Sequence, residues 1–274
     1  MKKIYILTLI TLFSAGLHAQ NASDGTNKKI QVGIGLGGGA LITKMGTKLA
    51  EKDGAGYNFH LGLDLNYNFS KNVGLYTGLS FDLEGMKYKF DPNKNRMLYN
   101  FSDNDVLRKK DLADVASYDS LLITNRAYKP IYITLPTMLL FKTDQIGYLK
   151  YFGKFGLRTS FLVSQKANDK GYRNAIENEA NAVEQKNMKL KNDLATVKSA
   201  VGLAGGVEWN FTGSTVLVGE IGFFYGFPNS HSPKSIIGDE DKNYSLYENK
   251  NNTSQFHALK SNQMQLLFKI AVLF

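Results

Sequence analysis

Apolar and polar residues alternate along most of this chain. The clearest run puts Tyr57, Phe59, Leu61, Leu63, Leu65, Tyr67 and Phe69 on one parity and Asn58, His60, Gly62, Asp64, Asn66 and Asn68 on the other. A period of two places the two sets on opposite faces of a β-strand. The same reading predicts strands at about 30–41, 57–69, 73–84, 128–141, 150–164, 199–211, 215–227 and 259–274. The intervening segments alternate in length: 70–72, 142–149 and 212–214 are short, while 42–56, 85–127, 165–198 and 228–258 are long.

That asymmetry is the one expected of outer-membrane barrels, which have short periplasmic turns and long outer loops. The predicted fold is therefore all-β: an eight-stranded antiparallel transmembrane β-barrel with long extracellular loops. The last segment fits a closing strand, with Met264, Leu266, Phe268, Ile270, Val272 and Phe274 on its lipid face. The even-numbered strands end on Phe69, Phe141, Phe211 and Phe274, which predicts an aromatic girdle at the periplasmic rim.

Alternation then assigns the lumen. His60, Asp64, Asp82, Lys154, Arg158, Glu208, Glu220 and Lys269 are expected to point inward, with Gly33, Gly35, Gly202 and Gly206 making room. A barrel of eight strands has space inside only for side chains, and buried charges must be paired. We expect Lys154, Arg158 and Lys269 to face Glu208, Glu220 and Asp64 as a packed polar core, with a proton or ion path as the sharper reading.

The third long loop has a different pattern. Ile176, Val183, Leu190 and Val197 are seven residues apart, with Ala180 and Leu194 between them. The spacing predicts an amphipathic helix over 173–197, a helical insert of about 170–197 within loop 165–198. Such a helix could lie against other loops or dock a partner protein.

The N-terminus reads as a signal peptide. Lys2 and Lys3 precede the apolar run Ile4–Phe13, and Leu17-His18-Ala19 is a small-residue cleavage context. The expected organisation is a signal peptide at 1–19, a short periplasmic segment at 20–29 and the barrel at 30–274, integral to the outer membrane of a Gram-negative bacterium. The absence of cysteine excludes disulfides, thiolate metal sites and cysteine catalysis. The net charge of +9 is spread among acids. It suits loops near lipid phosphates better than nucleic-acid binding, which we do not expect.

Motif matches are weak. Gly33-Ile34-Gly35-Leu36-Gly37-Gly38 fits a dinucleotide fingerprint by letter, but it continues as a strand and not into a phosphate-binding helix. Asp91, Asn93 and Asn95 have the first offsets of a calcium loop, yet Arg96 stands where glycine is needed. Asp239-Glu240-Asp241 is a second acidic loop cluster. A Ser/His/acid set could be drawn from His60 with Asp64, or from His231 and His257 beside Ser230, Ser232 and Ser254, but spacing alone does not identify a triad. No catalytic, cofactor or metal residues are assigned, and no enzyme is expected.

The segment Tyr132-Ile133-Thr134-Leu135-Pro136-Thr137-Met138-Leu139-Leu140-Phe141-Lys142 resembles a strand of PorT-like outer-membrane β-barrels of Bacteroidota. Phe69-Ser70-Lys71-Asn72-Val73, the strand Gly153–Phe161 and the closing strand to Phe274 resemble the same family. The resemblance covers 30–274 without the loops. Its motifs specify architecture, and what they imply of a role is accessory work in protein secretion or gliding; with the residues above, the expectation is a non-enzymatic barrel, structural or partner-binding, with no cofactor. A small-solute channel is the alternative, and an outer-membrane hydrolase a third reading. Expected partners are outer-membrane lipid, the barrel-assembly machinery during insertion, and a protein bound through 165–198.

Overall fold

The computed structural model describes residues 28–108, 118–212, 214–232, 245–250 and 253–274. The strands are β1 (Ile30–Met45), β2 (Glu51–Lys52), β3 (Gly56–Asn68), β4 (Val73–Lys89), β5 (Leu98–Ser102), β6 (Asp105–Val106), β7 (Asp119–Tyr128), β8 (Ile131–Lys142), β9 (Leu149–Ser164), β10 (Lys166–Arg173), β11 (Ala182–Lys189), β12 (Val197–Thr212), β13 (Thr215–Gly226), β14 (Tyr247–Lys250), β15 (Thr253–Phe256) and β16 (Ser261–Leu273). The expected signal peptide and Asp239-Glu240-Asp241 lie outside the described residues.

Eight long strands close an antiparallel barrel in the order β1, β3, β4, β8, β9, β12, β13, β16. Pairing of β1 with β16, from Gly33↔Leu273 to Met45↔Ser261, completes the ring. Closure removes every unpaired edge from the wall, the condition for crossing a bilayer with strands. The outer face is mostly apolar: Leu36, Phe59, Leu61, Leu79, Phe81, Leu139, Phe155, Leu203, Phe223, Phe268 and Ile270 are all exposed. Such a surface is stable in hydrocarbon and not in water.

Phe69, Phe141, Phe211 and Phe274 stand exposed at the end with the short turns, while Phe268 lies mid-wall between Gly38 and Ile221. Two rim sites repeat one packing unit. Tyr67 meets Phe69 edge-on at 5.3 Å, and Trp209 meets Phe211 edge-on at 5.5 Å. The shared Tyr/Trp-Asn-Phe spelling places both rings on the outer face, two residues apart.

Beyond the opposite rim the long connections are not simple loops. The outer end of β4 continues past the barrel and pairs with β2 and β7. From there β7 pairs with β10 and β5, β10 with β11, and β5 with β6 and β14. This second sheet is a folded cap with its own core, which includes Met86, Phe90, Met97, Tyr99, Phe101, Leu121, Ile123 and Met188.

The predicted helix at 170–197 is corrected. That segment is the β10–β11 hairpin, with a single 3-10 turn at Glu179–Asn181, and no α-helix occurs among the described residues. Its backbone turns left-handed at Asn174, Ala175, Asn187 and Asn192, which interrupts any continuous helix. Long-range pairing of Ala167–Arg173 with β7 then fixes the strand.

Candidate functional site

The lumen is filled in layers, and all eight residues assigned to it by alternation are buried within it. Nearest the short turns, Lys142 pairs with Glu208 at 2.7 Å and donates to Gln31 Oε1 at 3.0 Å. In the next layer Lys269 Nζ reaches Asp64 Oδ2 at 3.0 Å, Tyr76 Oη at 2.9 Å and Glu220 Oε2 at 3.5 Å. Lys154 donates to Glu220 at 2.6 Å and lies 3.6 Å from the centre of the Tyr76 ring. Two ammoniums and two carboxylates thus share one tyrosine and pair with one another. Gly35 allows the arrangement, since a Cβ there would stand 2.9 Å from Asp64 Oδ2.

The third layer centres on Asp82. Its carboxylate bonds His60 Nδ1 at 2.7 Å, and accepts from Thr134 Oγ1 at 2.6 Å and Arg158 Nη2 at 2.8 Å. Arg158 also donates to Gln265 at 2.6 Å and stacks on Phe224. In the outermost layer Lys198 grips both oxygens of Glu84 at 2.6 Å and lies over Tyr132. Cavities of about 30 Å³, beside Arg158 and Lys198, and about 10 Å³, beside His60 and Lys269, remain between layers. They have room for water molecules, not for a solute.

Two expected pairings differ. Arg158 meets Asp82, not Asp64, Glu208 or Glu220, and the partner of Glu208 is Lys142. His60 pairs with Asp82 and not with Asp64, because His60↔Asp82 is the register of β3 with β4. The pair does not resemble a hydrolytic triad. The Thr134 hydroxyl donates to the carboxylate instead of the imidazole, and Ser160 bonds Thr134. Asp91 Oδ1 accepts from the backbone N–H of Asn93 in a tight turn, and the described residues contain no cluster suited to a metal ion.

The sequence reading missed the cap's polar centre, Arg126. Its side chain is wholly buried. It makes a bidentate pair with Asp169, at 2.8 and 2.9 Å, and reaches Asp193 at 3.1 Å. Tyr99 and Tyr128 lie over its guanidinium, and the Tyr128 hydroxyl donates to Asp193. Burial opposes the charge, but Asp169 and Asp193 more than offset it and hold the guanidinium protonated. His231 packs beside them, with Nε2 3.0 Å from Tyr88 Oη and Nδ1 3.3 Å from the Asp193 carbonyl. Tyr88 in turn bonds Ser261, the first residue of β16. This chain of contacts fastens the cap to the barrel mouth. His257 lies elsewhere, 3.7 Å from Glu248. No periodic signal marks it, because Leu121–Tyr128 reads Leu-Leu-Ile-Thr-Asn-Arg-Ala-Tyr, in which apolar and polar residues do not alternate.

No curated protein sequence matches the chain. Among solved structures, the outer membrane protein OprG from Pseudomonas aeruginosa is similar at 8% identity and a TM-score of 0.45, over 92% of this chain and 97% of that one. Neisserial surface protein A is similar at 11% and 0.31, over 89% and 97%. The outer membrane protease OmpT from Escherichia coli is similar at 10% and 0.39, over 91% and 97%. The chain closes an eight-stranded barrel with a lipid-compatible wall, and the outer membrane protein β-barrel domain family matches residues 18–232: the chain belongs to that family and is an integral outer-membrane protein.

Proposed function

We propose that this barrel is a non-enzymatic scaffold whose folded extracellular cap docks a partner protein. One observation carries the reading: the chain builds a second sheet with its own hydrophobic core outside the membrane, above a lumen closed by ion pairs. A surface organised to that degree suits recognition, whereas the lumen offers neither a passage nor a substrate cleft. The resemblance of 132–142 to PorT-like barrels favours a partner in protein secretion or gliding.

The tip of the β10–β11 hairpin is the part to test. Ile176 is exposed there, on a turn held by Asn178 and Asn181. Replacing 174–181 with a short turn spares Asp169, Met188, Leu190 and Asp193, which hold the cap together. We expect a protein that co-purifies with the intact chain in mild detergent to be lost from the shortened one. Retention of the same partner by a folded, shortened chain would remove the hairpin from the interface, and capture of nothing by either chain would defeat the docking reading.

A further inference from the structure

We propose that the outer rim of the wall, at β3, β4, the β7–β8 link and the start of β10, carries a binding site for a phosphate-bearing glycolipid of the outer leaflet, built from Tyr57, Lys87, Lys129 and Lys166. This inference is independent of the partner-docking reading.

The site follows from strand parity. Leu79, Phe81 and Leu83 point outward along β4 and are exposed as part of the lipid-facing band. The same parity continues through Gly85 to Lys87, which is also exposed. Lys87 lies opposite Ala127 of β7, and Lys129, two residues further on, turns its side chain to the same outer face. The backbone N–H of Lys129 donates to the carbonyl of Lys166, so these two exposed lysines stand on adjacent strands. With strands about 4.8 Å apart and about 3.3 Å of rise per residue, the three ammoniums can converge on one phosphate immediately outside the apolar band.

Gly85 completes the site. It faces Tyr57 across the strands, and the tyrosine ring lies over it so closely that a Cβ at Gly85 would stand 2.1 Å from a ring carbon. An exposed aromatic ring beside three lysines suits a sugar ring that carries phosphate. Phe59 and Leu83, one row nearer the bilayer centre, suit its acyl chains.

The lysines are available. Among the described residues, none of the three is ion-paired to a carboxylate. The nearby acids on β2 and beside it are engaged elsewhere: Glu51 with Lys94 at 3.8 Å, and Asp53 with the Asn125 side-chain amide at 3.3 Å. The rim is also asymmetric. Lys44 and Lys260 stand on the β1–β16 side, while the β12–β13 side presents Val197, Tyr225 and Phe227.

The test uses the full chain in phosphatidylcholine nanodiscs, titrated with monophosphoryl lipid A or with its dephosphorylated form and read by native mass spectrometry. One lysine near an anionic surface contributes about fivefold, so the triple variant Lys87→Gln/Lys129→Gln/Lys166→Gln should weaken retention of the phosphorylated lipid by roughly 100-fold. The variant Lys44→Gln/Lys260→Gln should retain it as the wild type does. Equal retention of the two lipids by the wild-type chain would overturn the proposal without any variant. An equal loss in the two lysine variants would also overturn it, since attraction would then be a property of the whole rim. Heat-modifiable mobility on gels checks that each variant is folded.

Discussion

Lys269 shows how closely the lumen depends on single side chains. Its ammonium is shared by Asp64, Tyr76 and Glu220. Replacing Lys269 with Met leaves Asp64 a buried carboxylate held by the Tyr76 hydroxyl, whereas Glu220 keeps Lys154. Breaking one partner of a buried pair costs about 3–5 kcal/mol, while removing both partners can be nearly neutral. Lys269→Met should therefore lower the unfolding free energy measured by urea titration by that amount, and Lys269→Met with Asp64→Leu should recover most of it. A single variant within about 1 kcal/mol of wild type would show that the pair contributes little. Which residues face inward was legible in the sequence, because parity in a strand assigns the face. Which of them meet was not. Pairing across a lumen depends on the stagger of the strands, and that stagger brings Arg158 to Asp82 and Glu208 to Lys142.

Among the elements, the β10–β11 hairpin marks the limit of reading by period. Ile176, Val183, Leu190 and Val197 look like one helical seam, but they belong to different surfaces. Leu190 is buried in the cap core and Val183 packs against it, while Ile176 and Val197 are exposed. The signals that would have redirected the reading are Asn174, Asn187 and Asn192, each in a left-handed conformation that asparagine tolerates better than most residues. Partners 39 to 52 residues away in sequence, on β7, then decide the structure. The cap has a pH dependence that follows from His231. Burial depresses its pKa below the ordinary 6.5, against the raising influence of Asp193. Well above pH 6.5 the imidazole is neutral whether the cap is closed or open, so it contributes nothing. Below that value the open cap binds a proton that the closed cap does not, and opening becomes easier as pH falls. Proteolysis of 166–196 should therefore be faster at pH 5.5 than at pH 7.5. His231→Gln, which cannot titrate, should flatten that difference. An unchanged pH profile in the variant would assign the sensitivity to another group.

For the whole molecule, the question is whether the barrel conducts. Eight strands leave an interior that side chains can fill. Here they fill it with four tiers of paired charge, from Lys142–Glu208 at the short-turn end to Lys198–Glu84 under the cap. Apolar and aromatic side chains such as Met138, Phe152, Phe224 and Leu267 occupy the space between. A permeating ion would have to separate these buried pairs, since the gaps of about 30 and 10 Å³ hold a few water molecules at most. The cap is a second closure above these tiers, fastened by Arg126 and His231, so loosening it leaves the tiers intact. In planar bilayers the wild-type chain should give no steady conductance, and shortening the hairpin at 174–181 should not create one. Step currents from the wild-type chain would favour the channel reading over the scaffold. Currents that appear only in the shortened chain would mean that the cap, and not the paired lumen, keeps the barrel shut.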